Sequence, residues 1–139
     1  MKPTLTYKGA VMTWECDSNG HMNVMYYINK YENAGRNFDL DLGLAKLLQD
    51  QKETVGIVVV EQTIKYLKEA FEDDILYVMS ELNGVGNKSI TMTHKMYNGY
   101  TDEHIGTMSL VCVLFDKINR VGLTIPSEIK EQIVKKINH

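Results

Sequence analysis

From residue 23 onward, apolar or small residues recur at spacings of three and four: Val24, Tyr27 and Ile28, Tyr31, Ala34 and Gly35, then Phe38. That recurrence matches the 3.6-residue repeat of an amphipathic helix and predicts one over residues 23–42, about 30 Å long. Gly43 is placed to end or bend it, and residues 44–48 add another turn. Elsewhere the pattern is that of strands. Residues 7–14 are rich in β-formers and bounded by polar residues. Residues 55–66 open with a β-branched run and then alternate, which predicts Val58, Val60, Gln62, Ile64 and Tyr66 on one face. Further strands are predicted at 74–82, 89–97 and 105–115, and the Asn83-Gly84, Gly86-Asn87 and Asn98-Gly99 pairs between them have the turn chemistry of antiparallel hairpins. Ile129, Ile133 and Ile137 follow Pro126 at intervals of four and predict a short terminal helix.

Strand, long helix, four strands and terminal helix make an α+β fold, read as a single domain over residues 1–139 without internal repeats or low-complexity stretches. One helix cannot cover both faces of a five-stranded antiparallel sheet. A second subunit is therefore expected to cover a face or extend an edge, giving a homodimer or homotetramer. An apolar fraction of 44% and a charged fraction of 24% are those of a globular protein. Apolar stretches such as residues 110–115 fall far short of the roughly 20 residues that cross a bilayer, and the first residues lack the apolar stretch of a signal peptide. No membrane partner and a cytoplasmic location are the expectation. A net charge of −3 leaves no basic excess for nucleic acid. The two cysteines, Cys16 and Cys112, are too few for a disulfide framework and lack zinc spacing; Cys112 reads as a small buried side chain, and nothing marks Cys16 as a nucleophile.

The candidate chemistry lies where the first strand gives way to the long helix, in Asp17-Ser18-Asn19-Gly20-His21-Met22-Asn23. The first N–H groups of a helix have no internal partner and carry partial positive charge, so this position suits an anion or a developing oxyanion. Gly20 permits close backbone approach, bringing a ligand carbonyl near the Gly20, His21 and Met22 amides, with Asp17 nearby. A carboxylate beside an oxyanion site suffices for a thioester, because a thiol with a pKa of about 8.5 leaves with little protonation. The same residues also fit a plain turn: Asp17 and Asn19 as cap or turn residues, Gly20 as the turn glycine, His21 at the surface. Local chemistry leaves both readings open.

This run, followed by Tyr26-Tyr27, resembles the motif of the hotdog-fold acyl thioesterases. Asp17, Asn19, His21 and Asn23 match the alternating Asp, Asn, His and Asn of the plant acyl-ACP type, and Asp17 with Gly20 matches the 4-hydroxybenzoyl-CoA thioesterase type, in which the Asp does the catalysis. Residues 64–66 through 74–76 and residues 125–129 are also similar to the family, although Asp73 stands where the family has a glycine. The resemblance implies a long central helix wrapped by a five-stranded antiparallel sheet plus a short C-terminal helix. It also implies a dimer at least, with sites at the subunit interface, and hydrolysis of acyl-CoA or acyl-ACP to free acid and thiol. Asp17 would be base or nucleophile, with Asn19 and His21 orienting water or substrate. Gly20, Met22, Asn23 and Tyr26 would bind substrate. No cofactor beyond the coenzyme A of the substrate and no metal are expected.

Other hotdog branches place a catalytic Glu on the helix or second strand, which keeps Glu32 and Glu61 as reserve candidates. His94 alternates with Ile90, Met92 and Met96 and reads as a buried histidine satisfied by a neighbour; His104 and His139 read as exposed. Lys65, Lys68, Lys88 and Arg120 could meet coenzyme A phosphates but equally form a solvated surface. Trp14, Tyr26, Tyr27 and Tyr31 cluster round the motif and could favour an aryl, fatty or quaternary-ammonium acyl group, the last as in betainyl-CoA thioesterases. Two other activities fit the same fold: an enoyl or hydroxyacyl thioester dehydratase or hydratase, and a non-catalytic acyl-thioester binding module.

Overall fold

The structure, a computed structural model, describes residues 2–139. Its organising element is helix α1, Val24–Asp41. Asn23 caps it by accepting the Met25 N–H at 3.0 Å, and Gly43, at φ 76°, turns the chain into a second short helix, α2, Leu44–Asp50. Tyr27, Tyr31, Ala34 and Phe38 of the predicted row form its buried face together with Lys30, while Val24 and Ile28 are exposed.

Around α1 runs an antiparallel sheet made of β1, Thr4–Ala10, β2, Val55–Tyr66, β3, Ile75–Val85, β4, Ser89–Asn98, and β5, His104–Asp116. The order across it is β1-β3-β4-β5-β2, and a two-residue strand not anticipated from sequence, β6, Val121–Gly122, pairs with the end of β5. Helix α3, Ser127–Ile137, packs against β3 through the buried Ile133. Even-numbered residues of the three middle strands, including Leu76, Val78, Met92, Met96, Met108 and Leu110, make the core with the buried face of α1. The architecture is the expected hotdog fold: a long helix wrapped by five antiparallel strands, with a short C-terminal helix.

Three expectations are corrected. The Asn83-Gly84 pair lies inside β3, at a bulge against β4, and the hairpin turn follows at Gly86-Asn87. The first strand ends at Ala10 instead of residue 14, because Thr13–Glu15 forms a 3-10 turn that carries Glu15 into the interior. In β2 the predicted alternation is broken by a bulge between Val59 and Glu61. The extra residue there reverses the facing, so Val55, Ile57 and Val59 share the inner face with Gln62, Ile64 and Tyr66. Val58 lies on the opposite face from Gln62, and Val60, the bulged residue, is 60% exposed. Asp73 has φ 70°, a left-handed conformation that glycine adopts freely and Asp tolerates better than most residues.

Candidate active site

The segment between the 3-10 turn and α1 is a closed loop. Cys16 and Met22 form an antiparallel bridge, in which the Asp17 N–H donates to His21 O at 3.0 Å and the Asn23 N–H to Glu15 O at 2.8 Å. At its tip the Gly20 N–H donates to Asp17 O at 3.0 Å, with Gly20 at φ 76°. The Asp17 carboxylate is thereby held from two sides. Oδ1 accepts the Asn19 N–H and Oδ2 accepts the Asn23 side-chain N–H, each at 2.9 Å. The Asn23 hydrogen bond, then the Asn19 amide, hold the carboxyl below its ordinary value of 3.8. Asn23 thus caps α1 with its oxygen and holds Asp17 with its nitrogen.

His21 continues the row. Its Nε2 lies 3.7 Å from Asp17 Oδ1 and its Nδ1 3.1 Å from Glu69 Oε1. Glu69 has no motif to reveal it. It arrives because the Met22 N–H donates to Ala70 O at 2.7 Å, stitching the segment after β2 to the loop.

Of the amides expected to receive an oxyanion, those of Gly20 and Met22 are already donated, to Asp17 O and Ala70 O respectively. The His21 N–H, and that of Val24 at the first position of α1, have no acceptor among the described residues. The Met22 side chain is buried in the core, so it anchors the loop. Tyr26 is half-buried against the core, and Asn19 is exposed and meets Asp17 through its backbone.

The loop is clamped to α1 by an ion pair absent from the sequence reading. Lys30 Nζ donates to both Glu15 carboxylate oxygens at 2.9 Å, with side chains 2% and 8% exposed, and lies 5.6 Å from the centre of the Tyr7 ring. The Met12 N–H also donates to Glu15 at 2.8 Å. A signal existed: Lys30 sits three residues from Tyr27 and four from Ala34, on the apolar face of the helix, where a cation needs a partner.

A cavity of about 430 Å³ lies between α1 and the inner face of β2, β4 and β5, walled by Tyr31, Gly35, Asp39, Ile57, Gln62 and His94 among others. The Asp17 loop is not part of its wall. Glu32 is, paired with Arg36 at 3.2 Å, whereas Glu61 borders a shallower hollow of about 170 Å³ with Thr63 and Ser109. Burial pushes the Asp39 carboxyl up to about 6 and the His94 imidazole down to about 4. His94 is buried as expected, with Ser80 Oγ 2.5 Å from Nδ1, but its Nε2 has no partner among the described residues. His104 is half-buried, stacked on Tyr97 and bonded to Thr107 Oγ1 at 2.8 Å. Cys112 is buried, its thiol pushed up to about 11. Among the described residues no three His, Cys, Asp or Glu side chains are grouped to hold a metal, and no helix is long and apolar enough to cross a membrane.

No curated protein sequence gives a significant match. Among solved structures, a Staphylococcus aureus protein in complex with CoA superposes with a TM-score of 0.86 at 16% identity, covering 99% of this chain and 87% of its own. A 1,4-dihydroxy-2-naphthoyl-CoA thioesterase from Synechocystis gives 0.82 at 13% identity, with 97% and 98% covered. A gentisyl-coenzyme A thioesterase gives 0.79 at 20%, with 91% and 98% covered. At these identities the likeness is one of fold. The sequence model of the thioesterase-like superfamily matches residues 11–133, from the end of β1 into α3 and through the whole Asp17 loop, and the chain therefore belongs to that superfamily.

Proposed function

We propose that this protein hydrolyses acyl-CoA thioesters at Asp17, releasing the free acid and coenzyme A. The observation that carries the proposal is the carboxylate itself: two donors orient it and hold it ionised, beside an imidazole, at a loop and helix start that carry two unclaimed backbone N–H groups. In the proposed reaction Asp17 takes a proton from a water that attacks the thioester carbonyl, or attacks that carbonyl itself to give a mixed anhydride that water then cleaves to the free acid and the Asp17 carboxylate. The His21 and Val24 N–H groups receive the developing oxyanion, and the thiolate departs without needing a strong acid. His21, set between Asp17 and Glu69, orients the water or substrate. Tyr26 and the backbone about Gly20 would line the approach. No cofactor or metal is required by this chemistry.

The working unit in this proposal is a homodimer. Strand β2 pairs only with β5 among the described residues, leaving a long open edge, and Val59 and Val60 on it are half or more exposed. Val24, Met25 and Ile28 add an exposed apolar row on α1. A second copy would cover both.

The deciding experiment is thiol release from short, long, aromatic and betaine-type acyl-CoAs by wild type and Asp17→Asn. Release that collapses in the variant, with fold and oligomer unchanged, supports the proposal. Release unaffected by the substitution overturns the site. No release from any of these, nor from acyl-ACP, overturns the activity and leaves the dehydratase or binding-module readings. After a single turnover in 18O-labelled water, label in the Asp17 carboxylate identifies direct attack followed by addition of water at the Asp17 carbonyl of the anhydride.

A further inference from the structure

Asn-Gly pairs occur at Asn19-Gly20, Asn83-Gly84 and Asn98-Gly99. At such a pair the glycine nitrogen can attack the asparagine side-chain carbonyl, because no Cβ on the glycine obstructs the approach. How readily it does so depends on what holds the two groups. Asn98 Oδ1 accepts the Tyr100 and Thr101 N–H groups at 2.8 and 3.2 Å, and the Gly99 N–H donates to Ile75 O at 2.6 Å. Asn83 Oδ1 accepts from the Thr93 hydroxyl at 2.7 Å, and both residues of that pair lie inside β3, which is paired with β4.

Asn19-Gly20 is free where the others are held. Both residues are exposed, the Asn19 side chain has no hydrogen-bond partner among the described residues, and a Cβ built on Gly20 would meet nothing within 4 Å. The attacking nitrogen is restrained by the Gly20 N–H bond to Asp17 O, 3.0 Å long and at the exposed tip of the loop. Opening one such bond slows the attack by about tenfold at most. The same loop carries the carboxylate. The Asn19 N–H is one of the two donors to Asp17, and the Asp17 N–H, donated to His21 O, closes the loop around the pair.

We propose that Asn19-Gly20 is a site of spontaneous deamidation that ages the Asp17 loop. The Gly20 nitrogen bonds to Asn19 Cγ and loses its proton, and ammonia departs, leaving a succinimide ring. Water then opens the ring: addition at Cγ gives an aspartyl residue, and addition at the main-chain carbonyl gives an isoaspartyl linkage. Water enters and ammonia leaves, with no change of oxidation state. In the isoaspartyl product the main chain is longer by a methylene inside a loop closed by its own hydrogen bonds, so the Gly20 and His21 amides lose their places relative to Asp17. The aspartyl product keeps the chain length but sets a second carboxylate near Asp17, opposing its ionised form. The modification rests on the surroundings of Asn19 alone; its effect on turnover rests on the thioesterase reading.

The test holds the full-length protein in warm, mildly alkaline buffer. Peptide mass spectra follow the amide-to-acid change at each pair, and protein isoaspartyl methyltransferase detects isoaspartate. Asn19 should convert about tenfold or more faster than Asn83 and Asn98, which have more hydrogen bonds to open. Thiol release should fall in step with isoaspartate. The methyltransferase with S-adenosylmethionine returns isoaspartate to the succinimide, and should bring activity back toward that of Asn19→Asp. Asn19→Gln, whose longer side chain closes the ring poorly, should keep its own starting rate through the same treatment. An intact Asn19, earlier conversion at Asn83 or Asn98, full thiol release from isoaspartyl protein, or an equal loss in Asn19→Gln overturns the proposal. If the fresh protein hydrolyses no thioester, the thioesterase reading fails. The mass spectra then decide this proposal together with a 13C titration of the Asp17 carboxyl, which modification should raise toward its ordinary range.

Discussion

Replacing Lys30 by Met tests how strongly the Asp17 loop is clamped. Both side chains of the Glu15–Lys30 pair are nearly inaccessible, 8% and 2% exposed, and the ammonium is shared by both carboxylate oxygens at 2.9 Å. Removing the cation leaves a buried carboxylate with the Met12 N–H as its remaining donor among the described residues. Breaking such a pair costs about 3–5 kcal/mol. Unfolding entropy of about 2.1 cal/mol/K per residue over 139 residues is about 0.29 kcal/mol/K, so Tm should fall by about 10–17 °C. Urea unfolding at fixed protein concentration measures the same loss directly. The double variant Glu15→Leu, Lys30→Met removes both charges and should recover most of the stability. Because Glu15 O also accepts the Asn23 N–H, turnover should fall in the single variant and return in the double. A loss below about 1 kcal/mol for Lys30→Met would mean the pair behaves like a surface one, and the clamp argument would be wrong.

Asp17→Asn should lower kcat/KM by about 10²–10⁴ in the thiol-release assay, the span typical of a lost general base. Since its partners hold the Asp17 carboxyl below 3.8, it stays ionised from neutral pH down through weakly acidic pH, and the acid limb of the kcat/KM profile should lie below that value. Asn23→Ala removes the larger of those partners and the α1 cap together: the limb should move to higher pH, and stability should drop by about 1 kcal/mol in chemical denaturation. Asp39 shows the opposite sign. Its folded value of about 6 exceeds the ordinary 3.8, so the native state holds the extra proton between those values and stability falls as pH rises through that window. Asp39→Asn should therefore raise Tm at pH 7, by up to about 3 kcal/mol in stability, and give no such gain near pH 4. Equal effects at the two pH values would contradict the buried carboxylate.

The features legible in the sequence are those written within a few residues of one another. The three-and-four spacing of Tyr27, Tyr31, Ala34 and Phe38 is the buried face of α1, and Gly43 is its end. The Gly86-Asn87 and Asn98-Gly99 pairs mark the hairpins, whereas Asn83-Gly84 marks a bulge inside β3, and Asp17 through Asn23 marks a loop whose own hydrogen bonds close over six residues. What tertiary structure decided comes from pairs far apart in the chain. Glu15 and Lys30 select each other because each would be costly to bury alone, and that contact, not β propensity, takes residues 13–15 out of the first strand. One additional residue in β2 against β5 reverses which of its valines face inward, and alternation read along a single strand cannot reveal a mismatch with its partner. His21 meets Glu69 across 48 positions, and Thr6 of β1, Ser80 of β3 and His94 of β4 meet in one buried hydrogen-bonding row. A local pattern specifies periodicity and turns because backbone geometry repeats over short distances. Which polar atoms are left without partners depends on every neighbour that packing brings to them, and packing is a property of the whole fold.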